Sequence, residues 1–75
     1  MNSRIEINQK ICHGKPIIRG TRVLVSSLLG ALGAGDTIAS VLEDYPNIIH
    51  EDIQAAQSFG GRLSLFEEYP YEMAV

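Results

Sequence analysis

The spacing of hydrophobic positions changes along this 75-residue chain. At the start, RIEIN sets Ile5 and Ile7 among charged neighbours, the two-residue period of a short half-buried strand. From Val23 the period lengthens. Val25, Leu28, Leu29 and Leu32 recur at helical spacing, Ser26 or Ser27 can cap the start, and Gly35 can end the run in a left-handed conformation. Asp36 or Thr37 then offers an N-cap oxygen to a second helix over Ile38 to Asp44, with Ile38, Val41 and Leu42 on its inner face. The stretch Tyr45-Pro46-Asn47 stops it, because proline disfavours helical geometry in the residue before it. A third helix is expected over His50 to Phe59, with Ile53, Ala56 and Phe59 as its core stripe and Glu51 and Asp52 in its first turn, favourably placed against the helix dipole. Gly60 and Gly61 are expected to end it. Beyond them RLSLF fits either a second strand pairing with RIEIN or a short helix through Leu65 and Phe66.

The pattern predicts an all-α fold, a three-helix bundle of helix-turn-helix type with a small N-terminal β element. Residues 1–66 form the expected domain, and residues 67–75 an acidic C-terminal tail with little to pack. A chain of this length has room for one core, burying roughly 60% of the surface its unfolded chain exposes. Such a core supplies about 3 to 5 kcal/mol, which small scaffolds often supplement with disulfides, a metal or a partner subunit. Cys12 is the single cysteine, so no disulfide forms within one chain, and a lone thiol suits a reducing cytosol. Leu63, Leu65 and Phe66 lie beyond the three helices, and a homodimer is expected to cover them. The start MNSRIEINQK lacks an apolar signal-peptide core and glycines interrupt the apolar runs, so the expected location is cytoplasmic, away from membranes.

The net charge of -3 conceals a division. Residues 1–22 carry Arg4, Lys10, Lys15, Arg19 and Arg22 against Glu6, a net +4, whereas residues 23–75 carry Arg62 against eight acids, a net -7. Two kinds of partner follow: phosphates for the basic part, cations or a basic protein for the acidic part.

Catalytic chemistry finds little support. Cys12 and His13 are adjacent, and neighbours on a strand point to opposite faces, a poor arrangement for nucleophile and base. His13 and His50 lack a recognisable metal-ligand spacing. Gly14-Lys15 has no surrounding nucleotide-loop frame. The pairs Glu43-Asp44, Glu51-Asp52 and Glu67-Glu68 read as solvated helix ends or tail rather than acid/base dyads. The expectation is a protein that is not an enzyme and uses no cofactor or metal.

The layout of helix two, turn and helix three is that of a helix-turn-helix, whose second helix enters a major groove. Gln54 and Gln57 on that helix can read adenine edges, although Glu51 and Asp52 beside them would repel phosphate. GKPIIRGTR, Gly14 to Arg22, reads as a rigid turn anchored by Ile17 and Ile18 that carries Lys15, Arg19 and Arg22 toward phosphates.

The succession I-x-I, G-K-P-I-I-R-G-T-R, a helix ending in Ala34-Gly35, L-E-D-Y-P at Leu42 to Pro46 and E-D-I-Q-A-A at Glu51 to Ala56 resembles the bacterial family called domain of unknown function four-three-three, over about residues 5 to 59. The resemblance implies a homeodomain-like three-helix fold behind a small β element. It also implies the antitoxin of a toxin–antitoxin pair, similar to VapB-type proteins, encoded beside a PIN-like ribonuclease toxin and binding operator DNA as an autoregulator. The alternative is a protein-interaction module that neutralises its partner without touching DNA. Two features depart from the family pattern. Ile49 stands where the family usually has a Thr or Ser cap, a deficit of about 1 kcal/mol. The second is the Gly60-Gly61 pair with the tail behind it, where Glu67, Glu68, Tyr69 and Tyr71 form the expected toxin contact on the strength of charge and aromatic area.

Overall fold

The computed structural model describes residues 3–64. Two short strands come first, β1 (Ile5–Glu6) and β2 (Ile17–Ile18), followed by three helices, α1 (Val25–Gly33), α2 (Ile38–Asp44) and α3 (His50–Ser64). The architecture is mostly helical, a small bundle carrying a two-stranded antiparallel sheet at its N-terminal end.

β1 pairs with β2 in the register Ile5 to Ile18 and Glu6 to Ile17. Of the two alternatives open for RLSLF, the strand pairing with RIEIN does not form, since Arg62, Leu63 and Ser64 belong to α3. The alternation seen in RIEIN also breaks after one turn of the pleat: Ile5 is buried while Ile7 is exposed. The pairing ends at Glu6 and Ile17, so Ile7 lies beyond the sheet, while Pro16 turns its carbonyl to the other side and accepts from Val25 N–H at 3.0 Å. Ile17 and Ile18 are both buried and hold the loop to the domain as anticipated. Past Ile18 the chain reverses through Gly20, at φ +81°, and Ile18 N–H donates to the Val23 carbonyl at 2.9 Å. A side chain is strained at that φ, and glycine is not.

Between the strands, Cys12 (φ 51°), His13 (φ 58°) and Gly14 (φ 80°) are all left-handed. Cys12 and His13 are therefore in a tight turn rather than the strand expected for them. Gly14 N–H donates to the Ile11 carbonyl and Lys15 N–H to that of Cys12, which closes the turn.

α1 begins at Val25 behind Leu24, with no side-chain cap, so Ser26 and Ser27 lie inside its first turn instead of ahead of it. The bridge between Ile17 and Leu24 sets that start, because it keeps Leu24 extended and lets Val25 N–H donate to the Pro16 carbonyl. The C-terminus ends as expected. Gly35 takes φ +103°, its N–H donates to the Leu32 carbonyl, and Asp36 N–H donates to that of Ala31. This paired closure satisfies two of the carbonyls that a helix end leaves open. Thr37 then caps α2, its hydroxyl oxygen accepting from Ser40 N–H at 3.1 Å.

The core gathers one apolar face from each element: Ile5 and Ile18 from the sheet, Val25 and Leu28 from α1, Val41 from α2, and Ile53, Ala55 and Ala56 from α3. Ile48, in the turn before α3, joins them, and Ile38, Leu42 and Phe59 pack at the margin.

The largest difference from the sequence reading is the length of α3. It passes through Gly60 and Gly61 and reaches Ser64, so the glycine pair does not terminate it. Gly60 has a packing reason to be glycine: a Cβ there would stand 2.9 Å from Leu29 Cδ1 of α1. Tertiary contact on one side of the helix overrides a local signal that reads as a stop.

Candidate functional site

α3 offers the longest ordered polar surface of the domain. His50, Gln54, Gln57 and Gly61 recur at helical spacing, and all are exposed. At 1.5 Å per residue the stripe runs about 16 Å, and none of its members carries a fixed charge. Glu51, Ser58 and Arg62 border it on the same solvent side.

Asp52 does not belong to that surface. It is 7% exposed, although first-turn acids of this kind read as solvated. Its Oδ2 accepts from the Ile49 N–H at 3.0 Å, and its Oδ1 accepts from the Arg4 guanidinium at 3.1 Å. With Ile49 at the N-cap position, Asp52 is the third helical residue, so it supplies the return half of a capping box. Ile49 offers no side-chain acceptor to the first-turn amides, and the Asp52 N–H donates instead to the Ile49 carbonyl at 2.9 Å. Of the two acids that would repel phosphate, Asp52 is turned inward and paired, and Glu51 stays in solvent.

Arg4 and Asp52 were not singled out by the sequence as partners. The available signal was an acid at the third position of a helix whose N-cap cannot accept a hydrogen bond. Nothing local points to Arg4, which arrives from 48 residues away.

Arg19 reinforces the same end of the molecule. Its Nε donates to the Ser3 carbonyl at 2.6 Å and its Nη2 to the Ile5 carbonyl at 3.3 Å, so the guanidinium is fixed along β1. The backbone repeats the tie, Arg19 N–H donating to the Arg4 carbonyl at 2.8 Å. The N-terminal strand thus carries Arg4 to the start of α3, where the helix dipole is also positive, and Arg19 holds that strand from β2. Arg22 and Lys15 are exposed on the neighbouring loop, and the Cys12 thiol approaches the Arg22 carbonyl at 3.9 Å. Of the predicted basic residues, Arg19 lies along β1, while Lys15 and Arg22 lie on the approach to α1. Gln54 and Gln57 are exposed on α3 as expected. Glu67, Glu68, Tyr69 and Tyr71 lie outside the described residues.

Among the described residues no cluster of three or more His, Cys, Asp or Glu side chains is arranged to hold a metal ion, and no helix is long and apolar enough to cross a membrane. A second surface feature is apolar: Pro16, Val25, Ser26, Leu29, Phe59 and Leu63 line an open cavity of about 180 Å³ between α1 and α3.

Comparison with known proteins places these features in a family. The sequence profile described as "Protein of unknown function (DUF433)" matches residues 5–59. None of the curated proteins matches the chain. Among solved structures, the chain is similar to a DUF433 member protein from Anabaena variabilis ATCC 29413, with 30% sequence identity and a TM-score of 0.76. The similarity covers 81% of this chain and 60% of that protein, so the chain spans less than two thirds of its length.

Proposed function

The chain belongs to the DUF433 family, proteins of unknown function, and we propose that it is a DNA-binding antitoxin: a dimeric autoregulator that presents α3 to the major groove and neutralises a PIN-like ribonuclease toxin encoded nearby. The observation that carries the DNA-binding reading is the solvent face of α3. His50, Gln54 and Gln57 are exposed, and of the two first-turn acids Glu51 alone stays in solvent beside them, because Asp52 is buried against Arg4 and the Ile49 N–H. An α-helix fits the major groove, and glutamine amides pair with adenine N6 and N7 there. Arg19, held along β1, and the neighbouring Arg22 and Lys15 are the groups for flanking phosphates, which position a protein without reading sequence.

Toxin neutralisation falls to the acidic, aromatic segment with Glu67, Glu68, Tyr69 and Tyr71, whose chemistry suits a basic cleft built for RNA.

Retardation of the DNA upstream of the protein's own gene tests the DNA-binding reading. Binding is expected to weaken steeply with salt, and the log–log salt slope to flatten by about one unit for each phosphate contact removed in Arg19→Ala and Arg22→Ala. Gln54→Ala is expected to relax sequence preference instead. Absence of retardation at low salt overturns the DNA arm. Co-purification with the neighbouring gene product would then leave a module that acts on protein alone.

A further inference from the structure

We propose that the cavity between α1 and α3 is a docking site for the chain's own C-terminal segment, with the Phe66 ring seated in it and the carboxylates of Glu67 and Glu68 against its cationic rim. The lining is apolar apart from Ser26: Pro16, Val25, Leu29, Phe59 and Leu63 complete it. An apolar cavity of about 150 Å³ holds a benzene ring, so one of about 180 Å³ has room for a phenylalanine side chain. One seated ring is a small contact beside the roughly 1,000 Å² that a biological interface buries, and it suits a tethered segment better than a separate molecule.

Position along the chain selects the ring. Residues 65–75 lie outside the described residues and follow directly from Ser64, the last residue of α3. Phe59 and Leu63 stand four apart and both line the cavity, and Phe66, three residues after Leu63, is the next member of that helical series. One more turn of α3 sets Phe66 about 4.5 Å beyond Leu63 along the helix axis, and a helical side chain leans back over the turn before it. The ring then covers the open side of the cavity beside Leu63, which is 50% exposed. With two residues between Leu63 and Phe66, closing the contact costs little chain entropy.

Charge selects the same occupant. Lys15 and Arg62 are exposed, and each immediately precedes a lining residue, Pro16 and Leu63. A second copy of this face would set those cations near their own images, whereas residues 65–75 bring Glu67, Glu68 and Glu72 and no lysine or arginine. A dimer that binds a two-fold operator then uses another face. The consequence rests on the toxin arm of the function proposed above: a toxin that grips Glu67 and Glu68 takes them from Lys15, so domain and toxin compete for one segment.

The chain has no tryptophan, so Phe66→Trp introduces a single fluorophore at the site. In the full chain without DNA or toxin, its emission is expected to be blue-shifted and several-fold less open to acrylamide quenching than after unfolding in denaturant. The shielding is expected to be the same from micromolar to hundred-micromolar concentration. In the Phe66→Trp background, Ser26→Arg puts a charged side chain into the lining and Lys15→Glu reverses the rim. Each is expected to return quenching toward the unfolded value while helical circular dichroism is retained. Adding Glu67→Lys and Glu68→Lys to Lys15→Glu is expected to restore the shielding. Emission typical of exposed indole overturns the proposal. So does shielding that grows with concentration, which would make a second copy the occupant, or shielding unchanged in both Ser26→Arg and Lys15→Glu. Should Ser26→Arg unfold, Lys15→Glu decides by itself, since Lys15 is exposed. Neither toxin nor DNA enters this experiment, so its failure leaves toxin co-purification and DNA retardation to stand or fall separately.

Discussion

The two ends of α3 are fastened by different forces. At the N-terminal end, Asp52 joins the Ile49 N–H to the Arg4 guanidinium, and Arg19 ties β1 to its own turn through two carbonyls. At the C-terminal end, Gly60 lies against Leu29, Phe59 and Leu63 border an open apolar cavity, and the Ser64 hydroxyl donates back to the Gly61 carbonyl within the same helix. The first arrangement is directional and specifies one geometry. The second buries area without specifying a partner for every atom, and leaves apolar surface for another segment to cover.

Asp52→Ala is expected to give the largest effect. It removes the acceptor of the Ile49 N–H and the counter-ion of Arg4 at once, a loss of about 2 kcal/mol. For a domain of this size that lowers the melting temperature by roughly 8 to 16 °C. Thermal melting followed by circular dichroism reads it, and a shift below a few degrees would mean that the two ends are held alike.

Arg4→Ala separates the ion pair from the cap. The Arg4 side chain is 43% exposed, so its share of the pair is expected to be about 0.5 to 1 kcal/mol. A double-mutant cycle of Arg4→Ala with Asp52→Ala checks this, and a coupling near zero would assign the whole effect to the cap.

Gly30→Ala probes the other end in the opposite direction. With open space around the position and helical backbone on either side, alanine is expected to stabilise the folded protein by about 1 kcal/mol. Denaturant unfolding reads the gain.

Gly60→Ala should change stability least. The same gain in helix propensity is set against displacement of the Leu29 methyl, which is the far end of a flexible side chain, so the two nearly cancel within a few tenths of a kcal/mol. Gly60→Val, which adds bulk at the same contact, is expected to be clearly destabilising in the same unfolding measurement.

The contrast between the ends also separates what the chain discloses locally from what it does not. Apolar spacing, the Gly35 stop and the Thr37 cap are signals within a single turn of helix, and α2 falls on the residues that the spacing indicates. Gly60-Gly61 misleads because its role depends on Leu29, a contact made only once two helices are packed. Asp52 misleads for the same reason, since its burial is decided by Arg4 from the far side of the sequence. The pairing of β1 is hidden by the brevity of both strands. At the candidate site, the exposure of Gln54 and Gln57 follows from their spacing from Ile53 and Ala56. The placement of Arg19 along β1 follows from the fold alone.

The Arg4–Asp52 pair also has a consequence for the order of events during synthesis. Ile5 belongs to the core; β2 and Arg19, which pair with its strand, are made soon after it, whereas the carboxylate that ties Arg4 to α3 is made long after. At about 5 to 20 residues per second, Arg4 leaves the site of peptide-bond formation roughly 2 to 10 seconds before Asp52 is added. Closing so long a loop carries an entropic penalty that local helix formation does not. The docking of β1 is therefore expected to be the last step of folding, with substitutions at Arg4 speeding unfolding and leaving the refolding rate nearly unchanged.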